Sequence, residues 1–215
     1  MDNWNRVLRD MEDLTLYTKY DPQGKITVSG TSVSWSSLQS TPYSLYKDFG
    51  SAVFDGNFSI DFECRLDSTG GVWDPNLIMT FSNNGGLSSY SNLSTGDIFL
   101  NMRSYGTPQI RFGEHNKSEV GVNISLSTLY YCRLVRDESF GTYGKLTLSL
   151  YSDLARTTLV TSADYTLTSK LDFRYLYVIL SENAGSQYVQ SGLVKNIDLG
   201  MQPSFNPHFS RRKLL

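Results

Sequence analysis

Residues 126–151 read LSTLYYCRLVRDESFGTYGKLTLSLY, and this stretch decides the fold class. Apolar and more polar side chains alternate over residues 130–135 and again over 146–151. A period of two is typical of half-buried β-strands, because successive side chains of a strand point to opposite faces. Gly141 and Gly144 supply the positive φ angles that a hairpin connection of more than two residues needs. The stretch therefore predicts two long antiparallel strands.

Length and composition agree with one β-rich domain. The chain has 215 residues, and sandwiches or barrels of roughly 200–250 residues often form a single core. A chain of this size buries about 70% of its unfolded surface, so it needs neither a disulfide nor a metal for stability. Aromatic residues are 13% of the chain, with 14 Tyr, and charged residues are 19%, which is typical of strands. The net charge of −2 gives no field that would gather nucleic acid or an anionic membrane.

The sequence predicts a soluble protein made in a cytoplasm, without membrane insertion. It contains no apolar run of 18 residues, and the N-terminus lacks the basic and then apolar pattern of a signal peptide. Cys64 and Cys132 both fall on apolar faces of predicted strands, where an isolated Cys is usually a small buried hydrophobe. We expect two reduced thiols. Pairing stays open, because a disulfide needs Cα atoms within about 7 Å.

The first residues differ from the rest, because their periodicity is helical. Apolar side chains recur there at Trp4, Val7, Leu8, Met11 and Leu14. This spacing predicts a short amphipathic helix over residues 3–13. Such a helix either caps an open end of the β core or docks onto a partner, since helices in grooves use the same anchor spacing.

From Lys25 onward the pattern is strand and turn. Strands are predicted over 26–28, 33–35, 58–66, 77–81, 98–103, 109–112, 120–124, 157–160, 165–167, 173–180 and 193–199, besides the two named above. Many short strands without crossover helices predict two packed antiparallel sheets. Residues 173–180 (FRYLYVIL) are apolar on both faces, which predicts a strand in the middle of the sandwich.

Four of these segments carry a resemblance to a known family. Residues 58–66 (FSIDFECRL), 129–137 (LYYCRLVRD), 146–153 (LTLSLYSD) and 192–200 (GLVKNIDLG) resemble successive strands of concanavalin A-like, laminin G-type jelly rolls. The resemblance implies an all-β jelly-roll domain over residues 25–200. It would follow an N-terminal helix and lead-in over 1–24 and precede an extended basic tail over 201–215.

A longer segment of the sequence resembles a more specific group of proteins. Residues 130–160, together with DFRYLYV at 172–178, are similar to uncharacterised jelly-roll proteins of tailed phages and environmental sequences. This similarity implies a virion component, such as a capsid decoration or tail appendage, whose partners are other virion proteins or further copies of itself. Host-surface glycans are possible ligands. The fold alone does not choose a function, because it supports lectins, glycosidases and structural modules.

The termini are predicted to make the assembly contacts. After Gly200 the tail has two prolines and no periodicity, so it has no core of its own and would become ordered by docking. Its apolar and basic side chains suit a groove with an acidic rim. The predicted contact residues are Trp4, Val7, Leu8 and Met11 of the helix, with Phe205, Phe209, Arg211 and Arg212 of the tail.

Catalytic motifs are missing from the sequence, which contains no H-E-x-x-H, G-x-S-x-G or Walker loop. The histidines, His115 and His208, both lie in polar, turn-like contexts. Asp61 and Glu63 are the best acid–base candidates, since i and i+2 on a strand lie about 6–7 Å apart, near the separation of glycosidase carboxylates. The other interpretation is a solvated, charge-balanced sheet face. We expect no enzymatic activity.

Calcium is a further question that the resemblance raises. Legume-type and laminin G-type jelly rolls hold Ca²⁺ with loop carboxylates and carbonyls, and here Asp67, Asp74 and Asn76 lie in an oxygen-rich loop. Asp and Asn are also ordinary turn residues. Because the family spacing is absent, we expect no cofactor.

Ligand-binding candidates are aromatic residues predicted outside the core. They are Trp73, Tyr90, Tyr105, Tyr143 and Tyr188. Sugars stack on such rings and protein interfaces use them as anchors, although loop tyrosines can also fold back over sheet edges. Arg103 and Arg111 could hold a carboxylated or phosphorylated glycan, or be solvated charges at strand ends.

Two classes of function remain from the sequence. The first is a non-enzymatic structural and attachment protein of a virus particle that displays a lectin-like jelly roll. The second is a free carbohydrate-binding module or a glycan-active enzyme. Whether the protein occurs at fixed stoichiometry in particles, or as a sugar-binding monomer in solution, distinguishes them.

Overall fold

Antiparallel strands form nearly all of the regular secondary structure in a computed structural model, which describes residues 11–39, 41–70, 76–181 and 189–200. The helical content of this part is two single turns of 3₁₀ helix, at Leu14–Leu16 and Tyr90–Asn92. The strands are β1 Thr18–Tyr20, β2 Ile26–Ser29, β3 Ser32–Gln39, β4 Ser44–Asp48, β5 Phe58–Thr69, β6 Asn76–Ser82, β7 Ile98–Tyr105, β8 Thr107–Glu114, β9 Glu119–Asn123, β10 Tyr130–Asp137, β11 Lys145–Tyr151, β12 Leu159–Thr166, β13 Tyr175–Ser181 and β14 Val189–Asp198.

The strands form two seven-stranded sheets that pack face to face. The first sheet has the order β12-β11-β10-β5-β14-β3-β2, and the second has the order β1-β4-β13-β6-β7-β8-β9. Apolar side chains from the inner faces of both sheets make one continuous core. The predicted two-sheet jelly-roll sandwich is confirmed.

The hairpin that decided the fold class forms as its alternation predicts. β10 pairs with β11 from Tyr131 opposite Tyr151 to Asp137 opposite Lys145, and exposure alternates along both strands. Gly144 in the connection has a φ of 94°, and a Cβ atom there would lie 2.7 Å from the Asp137 carbonyl oxygen. Only glycine fits this position without a shift of the backbone.

The two cysteines lie in the core on adjacent strands of the first sheet. Cys64 on β5 and Cys132 on β10 are fully buried, both thiols are free, and their Sγ atoms are 3.5 Å apart. Burial raises the pKa of the Cys132 thiol well above its ordinary value. The thiols are therefore inert core groups in this state.

Strand placement follows the sequence except on weakly patterned segments. β13 lies between β4 and β6, so the interior position predicted for residues 173–180 is confirmed. The prediction of separate strands at 157–160 and 165–167 is wrong, because β12 is one continuous strand. Among the described strands β12 pairs with β11 alone, and most of its side chains are exposed, so it has little apolar alternation. No strand is predicted at β1 or β4, because both are too short to show a clear alternation.

Residues 11–24 are part of the sandwich. Met11 forms an isolated β-bridge with Asp198, and the Glu12 N–H donates to the Ile197 carbonyl at 2.8 Å. Leu14 is fully buried in the core. The predicted helix is therefore wrong for residues 11–13, because β14 takes their backbone hydrogen bonds.

The rest of that helix, with Trp4, Val7 and Leu8, lies outside the described residues. So does the tail over 201–215, with Phe205, Phe209, Arg211 and Arg212. Of the predicted assembly contacts, Met11 is described, and it bridges to β14. Within the described ranges, no helix has the length and apolar character needed to cross a membrane.

Candidate functional site

The connection between β6 and β7, residues 83–97, covers part of the outer face of the second sheet. The Tyr177 hydroxyl of β13 donates to the Asn84 carbonyl at 2.7 Å and accepts from the Leu87 N–H at 3.0 Å. Leu87 and Leu93 join a small apolar cluster with residues of β6, β7 and β13. This cover explains why β13 is apolar on both faces.

An acidic side chain fixes the end of the connection. The Asp97 carboxylate accepts from the Ser82 hydroxyl at 2.7 Å and from the Ser94 N–H at 2.9 Å. Asp97 is almost fully buried, and burial raises the pKa of its carboxyl group. The connection is therefore anchored to the sheet and forms a fixed wall.

A cavity of about 330 Å³ opens beside this wall. Phe99, Asn101 and Arg103 of β7 share the face, because alternate residues of a strand point the same way. Asn101 lies opposite Leu77 of β6 and Arg111 of β8, which extends the same face over three strands. The lining residues are Tyr90, Phe99, Asn101, Arg103, Lys117, Ser118 and Glu119.

Two aromatic side chains form the apolar wall of the cavity. The Tyr90 ring lies 5.2 Å from the Phe99 ring and 4.6 Å from the His115 ring, nearly perpendicular to both. Perpendicular contacts at these distances are favourable, so Tyr90 is held by its neighbours while part of it stays exposed. Tyr90 is thus a fixed ring at the rim of a cavity.

His115 supports Tyr90 from beneath. It lies in the turn after β8, as its turn-like context predicts, but it is buried, with 5% exposure. Its backbone N–H donates to the Asp97 carbonyl at 2.8 Å, which ties the β8–β9 turn to the covering connection. Burial lowers the pKa of the His115 imidazole, and Nδ1 has no hydrogen-bond partner within the described ranges. His115 is therefore a neutral packing residue at pH 7.

Positive charge collects on the other side of the cavity. One Glu119 carboxylate oxygen lies 3.0 Å from Arg103 Nη1 and 3.0 Å from Arg111 Nε. The Arg103 contact is a hydrogen bond, whereas the Arg111 Nε–H is not aimed at that oxygen. Lys117 is exposed at the rim. Two arginines therefore share one carboxylate, and Lys117 is a further cation of the cavity lining.

Asn101 forms the polar floor of the cavity. It is 4% exposed, and its Oδ1 has no hydrogen-bond partner in the part of the chain that the structure describes. A buried acceptor without a partner costs about 1–3 kcal/mol, and a ligand group that donates to it would recover this free energy. Its position gives a ligand hydroxyl or amide an acceptor at the bottom of the cavity.

The sequence-predicted ligand residues divide into three groups. Tyr90 and Arg103 line the cavity, and Arg111 lies beside it, paired with Glu119 of the lining. Tyr143 lies in the β10–β11 connection of the first sheet and is 45% exposed. Trp73 and Tyr188 lie outside the described residues, as does the side chain of Tyr105, whose backbone ends β7.

Sequence reasoning missed Phe99, Asn101, Lys117 and Glu119. The first two carry a usable signal, because they precede Arg103 by four and two positions on one strand and so share its face. Glu119 gave no comparable signal. Its role depends on the pairing of β8 with β9, in which Glu119 lies opposite Gly113.

Asp61 and Glu63 lie on the outer face of the first sheet, but they are not solvated. Asp61 is 7% exposed and Glu63 is 3% exposed. Asp61 accepts a bidentate pair of hydrogen bonds from Arg133, at 2.7 and 3.0 Å. Glu63 accepts from Asn196 at 2.8 Å and pairs with Lys195 at 3.0 Å. The predicted charge balance is present, and cations from β10 and β14 bury it.

The calcium candidates do not fit a shared site. Asp67 pairs with the Arg65 guanidinium at 2.6 Å, and Asn76 is fully buried at the start of β6. Asp74 lies outside the described residues. Over the described ranges, no group of three or more His, Cys, Asp or Glu side chains could hold a metal ion.

Comparison with known proteins gives relatives in structure alone. No protein-family model matches the chain, and no curated protein matches it. The Ca²⁺- and dimannose-bound exoplasmic domain of VIP36 is 11% identical, with a TM-score of 0.57 over 87% of this chain and 84% of that chain. The carbohydrate recognition domain of Emp47p is 11% identical, with a TM-score of 0.53 over 84% and 86%.

A third structure shares the architecture. A functionally unknown protein from Saccharomyces cerevisiae is 11% identical, with a TM-score of 0.53 over 89% of this chain and 100% of that chain. At such low identity the likeness concerns the fold alone. The chain has a lectin-like, concanavalin A-like jelly-roll fold.

Proposed function

We propose that this protein is a non-enzymatic attachment protein that binds glycans in the cavity beside Tyr90. The observation that carries the proposal is the combination of a fixed aromatic wall with the buried, unpartnered amide oxygen of Asn101. Sugar rings present apolar faces and hydroxyl edges, so they need both kinds of surface. A volume of about 330 Å³ lies at the lower end of small-ligand sites and suits one or two sugar rings.

The structural relatives support a sugar as the ligand. VIP36 is known in a form bound to Man3GlcNAc, and the Emp47p domain is a carbohydrate recognition domain. Both proteins have this fold, which shows that the architecture accommodates glycan sites. Fold likeness does not transfer a site, so the argument depends on the cavity itself.

The ion pairs of the first sheet support a non-enzymatic role. A general acid or nucleophile needs a carboxyl group that is available to substrate. Asp61 and Glu63 are instead buried under Arg133, Lys195 and Asn196. His115 packs beneath Tyr90 and has no hydrogen bond to a serine hydroxyl among the described residues.

The virion role follows from the resemblance of residues 130–160 to phage jelly rolls. We propose that the protein is a capsid decoration or tail appendage, made in the host cytoplasm, that displays the cavity toward host-surface glycans. A mass-spectrometric inventory of purified particles tests this role. Fixed stoichiometry in the particles supports it, and absence from the particles overturns it.

A glycan array with matched variants tests the binding site. Asn101→Ala and Tyr90→Ala should each weaken binding of the best glycan by about tenfold or more, which corresponds to one hydrogen bond or stacking contact of roughly 1.4 kcal/mol. Tyr143→Ala is the control, because Tyr143 is an exposed tyrosine on the other sheet. If no glycan binds, or if Tyr143→Ala alone removes binding, the proposal fails.

A further inference from the structure

The charge around the cavity is not balanced. Arg103 and Lys117 line the cavity with two positive charges against the one negative charge of Glu119, and Arg111 pairs with Glu119 from beside the lining. The chain as a whole carries a net charge of −2, so the local charge at the cavity is opposite in sign to the net charge of the chain. A local excess of opposite sign attracts an anionic ligand and raises its rate of association.

The arginine that lines the cavity is Arg103. An arginine has five N–H donors in a rigid fork, and Arg103 Nη1 donates to Glu119 at 3.0 Å. Arg111 makes an ion pair with the same carboxylate, but its buried Nε–H is not aimed at the carboxylate oxygen. Arg111 therefore adds positive charge beside the cavity, and Arg103 brings the fork to the cavity lining.

Lys117 adds a cation at the rim. It is exposed and makes no ion pair with a described residue, whereas most other lysines of the sheets are paired, such as Lys145 with Asp164 at 3.0 Å. An exposed, unpaired lysine beside two arginines raises the local potential at small conformational cost. It also offers a residue that can be changed without loss of packing.

The uncharged half of the cavity limits the size of the ligand. Tyr90 and Phe99 face the cationic side across about 330 Å³, and Asn101 lies between them. This arrangement suits a sugar ring whose apolar face meets the aromatic wall and whose charged substituent meets Arg103 and Lys117. A free inorganic anion would leave the aromatic wall unused.

We propose that the cavity is selective for a sugar residue that carries an anionic group, either a carboxylate or a sulfate ester. The inference rests on the glycan-binding function proposed above and specifies the class of glycan. In the complex, Arg103 and Lys117 bind the anionic group, and Glu119 keeps Arg103 oriented by its hydrogen bond. Asn101 accepts from a sugar hydroxyl.

Isothermal titration calorimetry of the full chain with three hexasaccharides of equal length tests the proposal. One is neutral, one is a uronate oligomer and one is sulfated, which separates the two sources of the anion. The anionic hexasaccharide that fits should bind at least about tenfold more tightly than the neutral one at low salt, and the difference should shrink at high salt because the Debye length shortens.

Variants assign the preference to named side chains. Lys117→Gln and Arg103→Gln should each reduce affinity for the anionic hexasaccharide by about five- to tenfold, with a clearly smaller loss for the neutral one. Lys170→Gln is the matched control, because Lys170 is an exposed lysine that pairs with Glu138 away from the cavity. Lys117 is exposed, so its variant is expected to fold.

The outcomes distinguish the two proposals. Equal affinity for neutral and anionic hexasaccharides overturns the charge selectivity and leaves glycan binding intact. Absence of binding to all three overturns both. A preference that Lys117→Gln and Lys170→Gln reduce equally reports a general surface effect and overturns the assignment to this cavity.

Discussion

Asp61→Asn is expected to destabilise the protein strongly, although the side chain lies on an outer sheet face. The substitution keeps the volume and removes the charge. Asp61 then no longer neutralises Arg133, which holds it through two hydrogen bonds, or Arg156, whose Nη1 lies 3.4 Å from Oδ2. The Arg156 side chain is 3% exposed, so its charge cannot be hydrated in place of the lost pair.

The size of the effect follows from this burial. Removing one partner of a buried ion pair costs about 3–5 kcal/mol. Arg133 is 38% exposed and regains part of its hydration, so we expect the lower end, about 3 kcal/mol. The hydrogen bonds of Arg133 to Asp61 also raise the pKa of the guanidinium, which indicates that the pair stabilises the charged form.

Urea unfolding followed by circular dichroism measures the difference. Asp164→Asn is the matched control on the same sheet, because Asp164 pairs with Lys145 at 3.0 Å but is 54% exposed. An exposed pair contributes about 0–1 kcal/mol. If the two variants lose similar free energy of unfolding, or if Asp61→Asn stays within about 1 kcal/mol of the wild type, then the ion pairs of the first sheet do not fix its outer face.

Three further predictions concern the core, the pH response and the N-terminal segment. Phe62→Ala and Leu148→Ala should each lower the free energy of unfolding, measured in urea, by about 2–5 kcal/mol, because both side chains are fully buried. Effects within about 0.5 kcal/mol at both positions would mean that the strand register is wrong. Burial lowers the pKa of His115 in the folded state, so the unfolded chain protonates first and stability should fall as pH drops through the ordinary value of 6.5. This loss between pH 7.5 and 5.5 should be smaller in His115→Gln, and an identical slope would contradict the assignment. Deletion of residues 1–10 should leave the melting temperature nearly unchanged, whereas deletion of residues 1–16 should lower it, because the longer deletion removes the buried Leu14. Equal melting temperatures of the two variants would show that Leu14 does not contribute to stability.

The strands of the core could be predicted from the sequence because their alternation is local information. β10 and β11 carry unbroken alternation, and the structure pairs them in the register that this alternation requires. β12 lacks that signal, because it is an edge strand and its exposed positions are not restricted to polar residues. Residues 11–13 have helical spacing but are extended, because long-range hydrogen bonds to β14 override a local preference.

The candidate site could be predicted only in part, for a related reason. Tyr90, Arg103 and Arg111 could be named from residue type, but their meeting depends on the pairing of β7 with β8 and on the 83–97 connection. The solvated face predicted for Asp61 and Glu63 is wrong because the covering cations come from β10 and β14, far along the chain. Residue spacing within one strand gives no information about contacts with strands that lie far along the chain.

Mapping the bound glycan by two-dimensional amide NMR tests the central claim most directly. The titrant is the tightest-binding oligosaccharide from the array. We predict that the largest shift changes fall on residues 99–103, on Arg111 and on residues 117–119, with the β10–β11 connection unchanged. Changes centred on Asp61 and Glu63, or on the connection around Tyr143, would place the glycan on the first sheet and contradict the account.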